Sequence, residues 1–112
     1  MVTLKLAWKI MSELWEWCSE NPDQEKWDWP GWKKYGSMYS YCPLCEYVKT
    51  KSGITCIGRD AKLCPAQELW PFGCTGIGSP YRIWRDGNNN SKDRSKAAKK
   101  ISDFAKAKLS KL

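Results

Sequence analysis

A small α+β domain is the fold class that this 112-residue sequence predicts. Three observations predict it. The first 20 residues repeat apolar side chains at helical spacing. Residues 42 to 78 carry five cysteines among glycines and prolines, with two short runs either side of Lys51-Ser52-Gly53. The last 22 residues repeat Ala, Ile and Leu at helical spacing on a lysine-rich background. The expected architecture is an amphipathic helix (1–20), an aromatic connector (21–41), a loop-rich cysteine lobe with a possible short hairpin (42–90) and a basic helix (91–112), one domain plus a tail.

Each element has a local reason. Between residues 3 and 20, Leu4, Trp8, Met11, Trp15 and Cys18 recur at helical spacing, and Leu6, Ile10, Leu14 and Trp17 widen the stripe. Thr3 suits the N-cap, and Asn21-Pro22 ends the run. Cys18 lies on the apolar stripe and reads as a buried small hydrophobe. In the connector, Trp27, Trp29 and Trp32 flank Pro30-Gly31, a turn signal that keeps the three rings off one regular face. They can fold back onto the helix as core, or stand out as an aromatic platform for a partner.

In the cysteine lobe, glycines at 53, 58, 73, 76 and 78 and prolines at 43, 65 and 71 argue against long helices. The stretch CEYVKTKSGITC reads as two short strands around Lys51-Ser52-Gly53. Pro65, directly after Cys64, suits the first position of a short helix. SPYRIWRDGNNN gives an aromatic segment, a turn at Asp86-Gly87 and a polar linker. From Ser91, a capping residue, Ala98, Ile101, Ala105, Leu109 and Leu112 form a narrow stripe with Phe104 alongside. So narrow a stripe predicts loose docking.

Net charge is +7, and it is unevenly placed. Residues 1–91 hold 11 Lys and Arg against 10 Asp and Glu; residues 92–112 hold 8 against 2. The basic tail suits an acidic partner, a nucleic acid, an acidic protein face or an anionic membrane, and equally serves as a solvated helix. The opening residues lack an uninterrupted apolar core and a small-residue cleavage site, and no stretch is long enough for a membrane span. The expectation is a cytoplasmic protein with no membrane partner, in a compartment where disulfides rarely persist.

The chain has six cysteines and no histidine. Cys42 and Cys45 form a C-x2-C turn whose amides can point back at the sulfurs, the support a zinc thiolate site needs. Cys64 comes next, and Cys56 and Cys74 contest the last position, with Cys56 preferred. Four protein thiolates leave no open coordination position, so such a zinc is structural. A lobe of Gly, Pro and Lys cannot order itself by burial, whereas metal binding can supply roughly 10 kcal/mol or more of folding free energy. Disulfides, a redox dithiol and an iron–sulfur cluster remain as rivals.

The order CPLC, Cys56, Cys64-Pro65, Cys74 and Ser79-Pro80-Tyr81 resembles a group of small uncharacterised phage and bacterial proteins with C-x-x-C, then C-x-x-C-P, then a lone Cys and Pro-Tyr. The resemblance covers about residues 29 to 85. This chain departs from the pattern in having seven residues between Cys56 and Cys64, which puts the role of Cys56 in question. The resemblance implies a phage-type accessory protein in a host cytoplasm and implies no activity.

Three function classes follow. An enzyme has least support: there is no His to act as general base, no Ser or Cys nucleophile with a recognisable partner, and Asp23, Glu25 and Asp28 read better as a solvated turn than as a magnesium site. A DNA- or RNA-binding module could use Lys96, Lys99, Lys100 and Lys106, but the cysteine lobe is poor in Arg. The expected class is a non-enzymatic protein that binds and inhibits or modulates a host machine, in defence or transcription. Its anchors would be Trp27, Trp29 and Trp32, supported by the lysine helix.

Overall fold

The computed structural model describes residues 3–38, 41–53, 64–71, 73–87 and 90–112. Helix α1 runs Leu4–Glu20, a 3-10 turn Lys26–Asp28, α2 Trp32–Tyr35, α3 Pro43–Ser52, α4 Pro80–Asp86 and α5 Ser91–Ser110. Among the described residues every regular element is helical and none is a strand. The α+β expectation is therefore overturned.

The reason lies at the two ends of α3. Pro43 does not break a helix here; it starts one, at the first turn where its missing N–H costs nothing. Gly53 then stops the helix at φ 77°, the left-handed conformation favoured just past a C-terminus, where its N–H caps the carbonyl of Lys49. The residues taken for a first strand are thus one helix, with Leu44 and Val48 buried at i, i+4. The second half of the expected hairpin, from residue 54, lies outside the described residues.

Helix α1 forms as its pattern predicts. The Thr3 hydroxyl accepts from the Leu6 N–H at 3.1 Å, and Asn21 closes the other end on the Trp17 carbonyl. Ala7, Trp8, Ile10, Met11, Leu14, Trp15 and Cys18 are buried. Helix α5 is capped by Asn90, one residue before the expected Ser91. It lies antiparallel on α1. Ser95 donates to the Ser19 carbonyl at 2.6 Å, Ser102 to the Ser12 carbonyl at 3.0 Å, and Phe104 meets Trp8 with ring centroids 5.9 Å apart. Ala97, Ala98, Ile101 and Ala105 are buried there, and the small residues let the two backbones approach closely enough for those Ser–carbonyl bonds.

Arg94 belongs to the lysine-rich last helix, yet it is buried. Its guanidinium donates to the Trp84 carbonyl (2.9 Å), the Pro22 carbonyl (2.8 Å) and the Glu25 carboxylate (2.7 Å), and lies 4.4 Å from the centroid of the Trp84 ring. One side chain thereby ties α5, α4 and the connector together. The carbonyls and the carboxylate satisfy the charge that burial would otherwise penalise.

Candidate thiolate centre and basic face

The start of α3 sets the first two thiols. Cys42 is the N-cap of the helix, and its Sγ accepts from the Cys45 N–H at 3.5 Å. Three residues on, Cys45 is buried on the same side of the first turn. Both sit at the N-terminal, positive end of a ten-residue helix.

Cys64 opens a tight turn closed by bonds from Gln67 N–H to the Cys64 carbonyl and from Leu69 and Trp70 N–H to the Ala66 carbonyl. This is the place where the sequence suggested a short helix at Pro65. Its Sγ accepts two hydrogen bonds, from the Ala66 N–H and the Trp70 indole N–H, each at 3.4 Å. Cys74 is anchored through its carbonyl, which accepts from the Ser79 hydroxyl; that same hydroxyl caps α4 by accepting from the Arg82 N–H at 3.0 Å.

These four cysteines line one cavity of about 100 Å³. Met11 and Trp15 of α1 contribute to it, together with Trp70, Tyr81 and Lys26. The walls are apolar and aromatic, and the N–H donors aim at sulfur, which is the supporting shell that thiolate metal ligands require. Of the four positions expected from spacing, Cys42, Cys45 and Cys64 reach this cavity. Cys56 lies outside the described residues. Cys74, the alternative fourth ligand, lines the same cavity. Among the described residues, no three Cys, Asp or Glu side chains are grouped closely enough to hold a single metal ion.

Cys18 is distinct from this group. It is fully buried in the helix pair, and burial pushes its thiol up from 9.0 to about 12.

The three connector tryptophans do not form a common surface. Trp29 and Trp32 are 8% and 9% exposed and belong to the core, while Trp27 is 53% exposed, with Tyr41 beside it at 6.4 Å between centroids. Gly31 explains the difference: the Trp29 ring lies so close over it that a Cβ would sit 2.2 Å from the ring. Trp32 is held from the other side by its indole N–H, which donates to the Lys26 carbonyl at 2.9 Å. The nearby acids are used locally. Glu25 pairs with Arg94, and the Asp28 carboxylate accepts from the Glu25 N–H at 3.0 Å.

The expected basic positions divide into two sets. Lys106 pairs with Glu16 at 2.9 Å, which holds its ammonium pKa above the ordinary value, and Lys99 lies 3.7 Å from Asp103. Lys96 and Lys100 are exposed and flank a shallow depression between α4 and α5, completed by Pro80, Ile83, Asp93 and Ala97. Ile83, 46% exposed, stands in it. Sequence reasoning missed Ile83 because α4 was not recognised; Ser79-Pro80, an N-cap followed by proline, was the available signal.

No known protein family, curated protein or solved structure matches this chain. Among the described residues, no helix is long and apolar enough to cross a membrane.

Proposed function

We propose that the chain is a non-enzymatic accessory protein that binds an acidic protein surface through the α4–α5 face, with its cysteine lobe stapled by a thiophilic metal. The observation that carries this reading is the mixed character of the α4–α5 depression. Ile83 and Pro80 offer apolar contact, and Lys96 and Lys100 stand at its edge. A surface built only for phosphates would not place an exposed Ile between its cations, whereas protein interfaces join an apolar centre to a charged rim. Trp27 and Tyr41 provide a second aromatic contact of the kind that anchors interfaces. A host defence or transcription complex that presents an acidic protein face suits such a surface. The four cysteines require no open coordination position for this role.

The test compares wild type with Ile83→Asp and with Lys96→Glu/Lys100→Glu, all as full-length chains. A specific host protein retained by wild type should be lost with Ile83→Asp, and the charge reversal should slow association. Retention on heparin or DNA that falls steeply with salt, and that Ile83→Asp leaves unchanged, would replace this reading with nucleic-acid binding.

A further inference from the structure

We propose that the α4–α5 depression receives an amphipathic α-helix of the partner, with that helix's carboxylates over Lys96 and Lys100 and an apolar side chain against Ile83. The proposal rests on the protein-binding reading of this face, and it names the element that fills it.

The spacing along α5 gives the first reason. Asp93, Lys96, Ala97 and Lys100 line the depression at i, i+3, i+4 and i+7, which is one face of the helix. Four residues so placed form the hole into which a facing helix inserts one side chain. Ala97, 6% exposed, is the floor, and the exposed Asp93, Lys96 and Lys100 are the rim. Pro80 and Ile83 of α4, at i and i+3, close the other side. The two walls are fixed against each other. Arg94 donates to the Trp84 carbonyl at 2.9 Å, and a Cβ at Gly87 would lie 2.9 Å from the Ile83 carbonyl and 3.1 Å from the Arg94 side chain. A groove formed before binding loses less entropy when it is filled.

The lining chemistry gives the second reason. Extended peptides dock on a sheet edge, which offers backbone hydrogen bonds, or in a groove of aromatic rings. This depression is walled by two helices, whose interior backbone groups are already paired, and none of its lining residues is aromatic. The mode that matches is a helix in a groove, read through side chains at helical spacing. The lysines set its charge. With 1.5 Å of rise per residue, Lys96 and Lys100 stand about 6 Å apart along α5, which matches two acids one turn apart on a facing helix. Lys99, Lys106 and Lys108 each face a carboxylate of this chain, Asp103, Glu16 and Glu68, whereas Lys96 and Lys100 face the depression. The Asp93 carboxylate accepts from the Asn90 side-chain amide at 2.9 Å and marks the end of the groove where an acid of the occupant is disfavoured.

The full chain, isotopically labelled for NMR, is titrated with a synthetic helical peptide of about three heptads, Leu at a and d, Glu at e and g and Ala elsewhere. Amide shifts should move at residues 81–84 and 93–100 and saturate. Ile83→Asp should weaken binding about tenfold or more. Lys96→Glu/Lys100→Glu should weaken it as much, and should bind instead a peptide with Lys in place of Glu, an exchange that a merely structural lysine pair would not produce. A peptide of the same composition in scrambled order, without an apolar face, should not bind. Equal binding by the scrambled peptide, or no shift at these residues with the ordered one, overturns the helical occupant. Duplex DNA that moves the same amides at lower concentration overturns it in favour of nucleic acid. If the peptide fails while Ile83→Asp still releases a specific host protein, the helix falls and the protein-binding face stands. If Ile83→Asp retains that host protein as well, both fall.

Discussion

Helices α1 and α5 bury Ile10, Leu14, Ile101 and Ala105, all at most 1% exposed and all in one core cluster. The cysteine lobe offers less: among its described residues Pro43, Leu44, Val48, Ala66, Trp70, Pro80 and Trp84 are the buried apolar side chains outside the thiols. A buried Leu, Ile or Met contributes roughly 1.5–3 kcal/mol, so the helix pair can hold itself together by burial. The lobe has few such residues and many glycines, whose ordering is entropically costly. What the lobe has in addition is four cysteines lining one cavity. The comparison sets a helix pair ordered by removing apolar surface from water against a lobe whose order, under the function proposed above, comes from what its sulfurs hold.

The largest expected effect of a single side chain lies where the two halves meet. Arg94 is buried and paired with Glu25, so Arg94→Ala leaves a carboxylate and two carbonyls without their donor. It should cost about 3–5 kcal/mol in urea unfolding of the metal-loaded protein. A loss below 1 kcal/mol would show that this junction does not couple the regions. Leu14→Ala comes next. It should cost about 3 kcal/mol by the same measurement while leaving metal content per chain unchanged. Loss of metal on that substitution would erase the division between the halves.

The last effect is absent near neutral pH and appears only at high pH. The Cys18 thiol keeps its proton to about 12 in the fold, against 9.0 for an ordinary thiol. Its contribution to stability is therefore complete below pH 9 and declines as pH rises towards 12, because only the unfolded chain gains from ionising there. Cys18→Ala should flatten the decline of unfolding free energy between pH 9 and 12 relative to wild type. Equal slopes would mean that the buried thiol is not what titrates.

The two long helices were legible in the sequence because an apolar stripe facing one core repeats at 3.6 residues regardless of what it meets. Arg94 escaped that reading, since a charged residue counts as exposed until a carboxylate, here 69 residues away, is brought to it. Helix α3 was misread because Pro43 and Gly53 were taken as breakers, although each stands at the helix end where it is favoured. Helix α4 is a single short aromatic run, too brief for periodicity to register. At the candidate centre, Cys42, Cys45 and Cys64 could be grouped from spacing and from the proline after Cys64. Cys74 could not be placed, because its position depends on a chain of turns from 70 to 79 that spacing does not encode.

Amide hydrogen exchange on the full chain, before and after metal is stripped by chelator under reducing conditions, tests the division most directly. The account predicts that α1 and α5 keep their protection while α3 and residues 64–78 lose theirs. Unchanged protection in the cysteine lobe after stripping would contradict it.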